Sequence, residues 1–200
     1  MILLVAVALA ILVALLRGGK MSDLATVRFR YGWVALLALL LQFGVVYLPP
    51  SSHDGFWGPR AWVLVGSYGM LVFVIIVNRR IPGVPIIGLG LIFNYAVIFA
   101  NGGYMPVSPD ALERAGLAHL ATGDEVGARV AAAKDVLLHR EQTALWVLSD
   151  IFSLPPPIRT VFSIGDVFLA VGAFWFFLGT MRPKKPCAEF GRDPSSKQVV

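Results

Sequence analysis

Two aspartates near the end of the sequence have the residue type and the surroundings for acid-base chemistry. Asp150 lies in the apolar segment 143–152, and Asp166 follows Ser163 at the start of a long apolar run. The proline-rich stretch 154–157 separates them and can fold one back toward the other. Two carboxyl groups held close together share a proton, and such a pair can activate water and protonate a leaving amine. The pattern therefore makes Asp150 and Asp166 candidate catalytic residues.

Each aspartate also has a purely structural interpretation. Ser163 and Asp166 have the spacing of a capping box, in which each side chain bonds the backbone N–H of the other residue at the start of a helix. Asp150 can instead be an exposed acid with Arg159 as its partner. The sequence leaves the catalytic and the structural interpretations open.

A candidate binding segment, Asn101-Gly102-Gly103, follows an apolar run. Two glycines permit positive φ angles and can present backbone N–H groups to an anion or a peptide carbonyl. The same residues are also typical of a helix C-cap. Asn94 precedes Asn101 by seven residues, about two helical turns, so we expect its amide to face inward and hold helices together.

The sequence contains no pattern typical of a metal or cofactor site. The three histidines, His53, His119 and His139, lack metal-site spacing and lie outside the long apolar runs, so no metal or haem site is predicted. The single cysteine, Cys187, cannot form an intrachain disulfide. We expect no bound cofactor.

The composition indicates what kind of chain must position these residues. Of the 200 residues, 57% are hydrophobic and 14% are charged, whereas soluble domains average about 45–50% and about 25%. This composition argues against a soluble domain and predicts a polytopic membrane protein. The net charge of +5 comes mostly from Lys and Arg beside apolar runs, a pattern of membrane topology that does not indicate nucleic-acid binding.

Five apolar runs predict an all-α fold of about five transmembrane helices. They cover residues 1–16, 31–48, 62–77, 85–100 and 164–181. Basic residues follow the first, third and fifth runs, and Lys and Arg are retained on the cytoplasmic side. The N-terminus is therefore predicted outside and the C-terminus in the cytoplasm. Residues 1–182 are predicted to form one membrane domain, followed by a disordered tail, 183–200.

The longest polar stretch, residues 101–163, lies between the fourth and fifth runs and is predicted to be an outer-face helical region. Ser108-Pro109-Asp110 has the pattern of a helix start and predicts a helix near 109–121. A second helix is predicted near 124–139, where one helix face would carry Val126, Val130, Ala133 and Leu137. Segment 143–152 is too short to span a bilayer and is predicted to lie at its interface.

Two segments carry a resemblance that covers nearly the whole chain. The first is Asn101-Gly102-Gly103-Tyr104-Met105-Pro106-Val107-Ser108, and the second is Phe162-Ser163-Ile164-Gly165-Asp166-Val167. In these segments the chain resembles an uncharacterised family of bacterial polytopic membrane proteins, domain of unknown function 5317. The resemblance implies a fold and no activity. It suggests that the two segments belong to one outer-face site.

A second resemblance is confined to residues 147–172. Val147-Leu148-Ser149-Asp150-Ile151-Phe152, the later Phe162-Ser163-Ile164-Gly165-Asp166 and Gly172 are similar to the C-terminal signature of lipoprotein signal peptidase. In that family of intramembrane aspartyl proteases two aspartates lie at the outer membrane face, which implies catalytic roles for Asp150 and Asp166. The family's upstream Gly-Asn-x-x-Asp-Arg motif has no equivalent in this chain.

Two functional hypotheses follow from these patterns. The first is a non-catalytic component of the bacterial cytoplasmic membrane whose outer-face region, 101–163, binds a lipid headgroup or a protein partner. The second is a membrane-embedded aspartyl hydrolase that uses Asp150 and Asp166, with Asn101 positioning the substrate. The missing upstream motif favours the first hypothesis.

Overall fold

The structure is a computed structural model, and the residues it describes are 2–47, 56–121, 123, 127–131 and 133–181. Its α-helices are α1 Ile2–Leu16, α2 Gly32–Tyr47, α3 Pro59–Val77, α4 Val84–Ala100, α5 Pro109–Arg114 and α6 Ile164–Thr180. The chain is mostly helical, as predicted, and each of the five apolar runs forms one long helix. The predicted tail, 183–200, lies outside the described residues.

The long helices differ in their capacity to cross a bilayer. By length and composition one helix, α3, is long and apolar enough to do so, with 19 residues. The other long helices are also apolar but have 17 residues or fewer. A proline at the first or second position starts both α3 and α4, where the missing N–H is not needed.

The long helices pack as a row in the order α1, α6, α4, α3, α2. The contact between α4 and α6 is close because glycines on both helices leave room for backbone. A Cβ atom at Gly90 would overlap the carbonyl oxygen of Gly165, and one at Gly165 would overlap the side-chain oxygen of Asn94. Small residues at such a contact are typical of tightly packed apolar helices.

The region 101–163, called the cap below, differs from the two helices that the sequence predicts. In place of a helix over 109–121, α5 ends at Arg114 and a separate 3-10 turn covers Ala118–Leu120. Gly116 lies between them at φ +69, a left-handed conformation that ends a helix. The start of this helix is confirmed, since the Ser108 side chain accepts a hydrogen bond from the Ala111 N–H.

The predicted second helix, 124–139, is wrong within the described part of that range. A strand, β2 Asp135–Leu137, lies there and pairs in parallel with β1 Met105–Val107, with Met105 opposite Asp135. Gly127 at φ +89 breaks any helix that would begin before it. Residues 124–126 lie outside the described residues.

The apolar pattern of that stretch predicted burial correctly. Val130 and Leu137 are both buried, in one cluster with Val107 and Leu112. Turns and strand pairing bring them together, which a helix face was expected to do. Periodicity over a short, glycine-interrupted stretch therefore identified core residues and misassigned their secondary structure.

The last part of the cap, which leads into α6, forms a hairpin. Strand β3 Phe152–Leu154 pairs antiparallel with β4 Thr160–Phe162, and the proline-rich stretch forms the loop between them. Just before it, a 3-10 turn covers Trp146–Leu148. Within its described residues the cap therefore contains no helix long enough to span a bilayer, as expected for segment 143–152.

Candidate functional site

Asp166 lies at the start of α6, where the capping box is confirmed. The Ser163 N–H donates to Asp166 Oδ2 at 3.0 Å, and the Asp166 N–H donates to Ser163 Oγ at 3.2 Å. From α4, Asn94 Nδ2 donates to Asp166 Oδ1 at 3.0 Å. The inward-facing role predicted for Asn94 is confirmed, because it is 1% exposed and links α4 to α6. Both carboxylate oxygens of Asp166 thus have partners inside the protein.

Asp150 occupies a different kind of position, beside strand β1. The Asp150 N–H donates to the Pro106 carbonyl at 3.0 Å, and the Asp150 carbonyl accepts from the Ser108 N–H at 3.4 Å. These backbone bonds extend the small sheet by one residue and carry the Asp150 side chain into the interior, where the residue is 5% exposed. The prediction of an exposed acid at Asp150 is therefore wrong.

Lys134 and Tyr68 complete the surroundings of Asp150, and the sequence analysis missed both. The Lys134 Nζ donates to the Tyr68 hydroxyl at 2.7 Å and lies 5.4 Å from the centre of the tyrosine ring. Tyr68 belongs to α3, and Lys134 directly precedes β2. The one available signal was a Lys-Asp pair inside the apolar run 130–138, where charged residues need partners.

The ionisable groups of this region act strongly on one another. Burial by itself lowers the pKa of Lys134, but the Tyr68 oxygen and the nearby carboxyl groups outweigh it, so the pKa is raised. Burial, followed by the charges of Asp135 and Asp166, raises the pKa of Asp150 well above its ordinary range. Burial also raises the pKa of Asp135 to about 6. Lys134 remains a cation, whereas Asp150 is a carboxyl group that readily holds a proton.

We call Lys134, Asp135, Asp150 and Asp166 the charged centre. Its chemistry depends on which carboxylate oxygens already accept a hydrogen bond. Oδ1 of Asp135 and Oδ1 of Asp150 are buried and have no hydrogen-bond partner. Among the described residues no hydrogen bond joins Asp150 to Asp166, so a directly shared proton is not formed. The centre therefore offers two buried acceptors to a donor or a cation.

The Asn101-Gly102-Gly103 segment anchors the cap to the helices. Asn101 Nδ2 donates to the Val97 and Ala144 carbonyls at 2.8 and 2.9 Å, and its Oδ1 accepts from the Ala144 N–H at 2.9 Å. Gly103, at φ +93, donates its N–H to the Ile98 carbonyl, so the C-cap interpretation is confirmed. All three residues are buried. Ligand binding by this segment stays a prediction.

Metal binding would require several ligands in one place. Among the residues that the structure describes, no group of three or more His, Cys, Asp and Glu side chains is placed to hold a metal ion. His53 lies outside that part of the chain.

The protein is a row of apolar helices, closed at one end by a small mixed cap that holds a partly buried charged centre. The chain belongs to a family of unknown function, DUF5317, which it matches over residues 26–178. No curated protein and no solved structure matches it. The local resemblance of 147–172 to lipoprotein signal peptidase accordingly stays a prediction.

Proposed function

We propose that the protein is a multi-pass protein of the bacterial cytoplasmic membrane, with the cap on the outer face. The helices carry large apolar side chains on exposed faces, which lipid would cover. Examples with more than half of their surface exposed are Leu4, Leu36, Leu40, Trp62 and Trp175. One helix passes the length criterion for a span, and the shorter apolar helices packed beside it would cross a bilayer locally thinned around them.

The arrangement of the loops supports this topology. Gly19 lies against the Met181 carbonyl, and the Arg30 backbone is bonded to the Asn78 side chain, so the basic loop after α1, the basic loop after α3 and the end of α6 meet at one end of the bundle. At the other end the Trp57 N–H donates to the Gly102 carbonyl in the cap. Retention of Lys and Arg inside the cell would place the cap outside.

Thiol labelling in intact cells tests the orientation. An impermeant maleimide should modify Glu113→Cys, a change at an exposed cap position, and should leave Cys187 unmodified until the membrane is permeabilised. The opposite pattern would invert the topology.

In this membrane setting the protein acts as a non-catalytic component that binds a lipid headgroup at the charged centre. The observation that carries the proposal is the pair of buried, unpartnered oxygens on Asp135 and Asp150. A buried acceptor without a donor costs about 1–3 kcal/mol, which a donor from outside would recover. A headgroup ammonium supplies both the positive charge and the N–H donors. Lys134 and Asp135 are only partly buried, so the centre reaches the surface of the cap.

Lipid selectivity tests this assignment. The full chain, purified in neutral detergent, should be stabilised more by short-chain phosphatidylethanolamine than by phosphatidylcholine, whose quaternary ammonium has no N–H donor. Asp150→Asn should abolish the difference, and Glu113→Gln, an exposed acid of the same cap, should preserve it. Equal stabilisation of the original chain by both lipids would contradict the proposal. Preference for a lysine-rich peptide would favour a protein partner instead.

The aspartyl hydrolase remains a second candidate because the pKa of Asp150 is raised by burial and by the charge of Asp166, among other neighbours. A carboxyl group that holds a proton can act as a general acid, and aspartyl hydrolases combine it with a second carboxylate. If the pair is catalytic, Asp150→Asn and Asp166→Asn should abolish activity on a membrane-anchored substrate while the variants still fold. Full complementation of a deletion strain by both variants would exclude this function.

A further inference from the structure

Four arginines surround a cavity at the end of the bundle opposite the cap. The cavity has a volume of about 580 Å³ and is lined by Arg28, Arg30, Ile76, Val77, Asn78, Arg79, Arg80 and Ile81. Two separate chain segments supply the arginines, one before α2 and one between α3 and α4. We call this cavity the arginine pocket.

The two sides of the arginine pocket are held together by Asn78. This residue is 3% exposed, and its Oδ1 accepts from the Arg30 N–H at 2.8 Å. Its Nδ2 donates to the Arg30 carbonyl and to the Val74 carbonyl, both at 2.8 Å. A buried amide with three such bonds fixes the backbone of both segments. The pocket is therefore formed before any ligand arrives.

The four arginines are exposed. Among the described residues, no acidic residue lines the pocket. Within the described part of the chain, none of these four side chains bonds to a carboxylate. Like charges that converge on one cavity repel one another, and an anion in the cavity would relieve that repulsion. Retention of basic residues in the cytoplasm does not require them to converge, and Arg17 and Lys20, at the same end, lie outside the pocket.

We propose that the arginine pocket binds the phosphate of an anionic phospholipid. Guanidinium groups match the oxygens of a phosphate with paired hydrogen bonds, which makes arginine the preferred residue for this anion. Ile76, Val77 and Ile81 give the same cavity an apolar wall. Basic pockets between helices at the cytoplasmic face suit lipid headgroups, with the acyl chains beside the apolar wall. The lipid source of the phosphate rests on the proposed membrane placement.

The experiment compares two variants that remove the same charge from the same end of the molecule. Arg30→Gln with Arg80→Gln changes the pocket, and Arg17→Gln with Lys20→Gln is the control. Short-chain phosphatidylglycerol is titrated into each full-length protein in neutral detergent, and binding is followed by native mass spectrometry and by thermal stability. The pocket variant should bind about tenfold or more weakly, because it loses charge-assisted hydrogen bonds to the phosphate. The control should bind like the unaltered chain.

The source of the phosphate is tested in parallel arms. Inorganic phosphate alone should compete weakly, because it lacks the acyl chains, and phosphatidylcholine should not bind the pocket. Arg80→Lys should restore part of the affinity that Arg80→Gln loses, which separates loss of charge from loss of folding. Equal weakening in the pocket variant and the control would overturn the site. Competition by inorganic phosphate as strong as that by lipid would overturn the lipid assignment. Because binding is measured in detergent, an inverted topology would leave the phosphate result unchanged.

Discussion

The two ends of the helix bundle handle charge in opposite ways. At the cap end one lysine and three aspartates lie close together, and Asp150 is 5% exposed. At the other end four arginines are exposed around a cavity, and a buried amide holds their backbone in place. Buried charges shift one another's pKa values and depend on every partner, whereas exposed charges interact more weakly and respond to salt. The cap end should therefore govern stability and pH dependence, and the arginine end should govern the response to anions.

Removal of the lysine should be the most disruptive change at the cap end. Lys134→Met removes a cation that acts on both Asp135 and Asp150 and leaves Arg129 acting on Asp135, so the free energy of unfolding should fall by about 3 kcal/mol. Denaturant melts in detergent measure the loss. Lys20→Met, an exposed lysine at the other end, should change little. Equal stability of the two variants would mean that Lys134 does not compensate the buried acids.

Loss of the hydrogen bond between α4 and α6 should have the second-largest effect on stability. Asn94→Ala removes the donor to Asp166 Oδ1 and leaves a buried cavity, so we expect a loss of about 2 kcal/mol. The same melts check this value. A loss below about 0.5 kcal/mol would indicate that water replaces the amide, and Asp166 would then be held by the capping box alone.

The pH dependence of stability should reveal the titration of Asp135. Its folded pKa of about 6 lies above the unfolded value of about 3.9, so the folded state binds more protons between these values. Stability contributed by Asp135 should therefore fall as pH rises from about 4 to about 6. We expect a change on the order of 1 kcal/mol, because Asp135 is partly exposed and water relieves part of the burial cost. Asp135→Asn should reduce the fall in melting temperature over this pH range, and the raised pKa of Asp150 should leave part of the fall in place. An unchanged fall would exclude Asp135 as a cause.

The smallest effect on stability should come from the arginine end. Arg80→Gln alters an exposed side chain and should change the free energy of unfolding by less than about 0.5 kcal/mol. Its effect should appear instead in anion binding, with a weaker dependence on salt concentration. A large loss of stability in Arg80→Gln would contradict the contrast between the two ends.

Local features of this protein could be predicted from the sequence because their causes lie within a few residues. The long helices follow from continuous apolar runs, which need no distant partner to satisfy their backbone. The capping box of Ser163 and Asp166 spans a single helical turn, and the C-cap at Gly103 closes on Ile98. Each of these predictions is confirmed.

The cap could not be predicted in this way because its elements are short and depend on distant partners. Strands of three residues have almost no periodicity, and β1 pairs with a strand about thirty residues further along the chain. The spacing of core residues that strand pairing brings together was therefore mistaken for helix patterning over 124–139.

The charged centre was decided by tertiary structure alone. Lys134 meets Tyr68 across 66 residues, and Asn94 meets Asp166 across 72. Asp150 becomes buried only because its backbone pairs with Pro106, which no pattern around Asp150 indicates. The sequence determined which residues can carry charge and where the long helices lie. Which charges are buried together, and hence which pKa values shift, follows from long-range packing, because desolvation and Coulomb energy depend on distance in space and not along the chain.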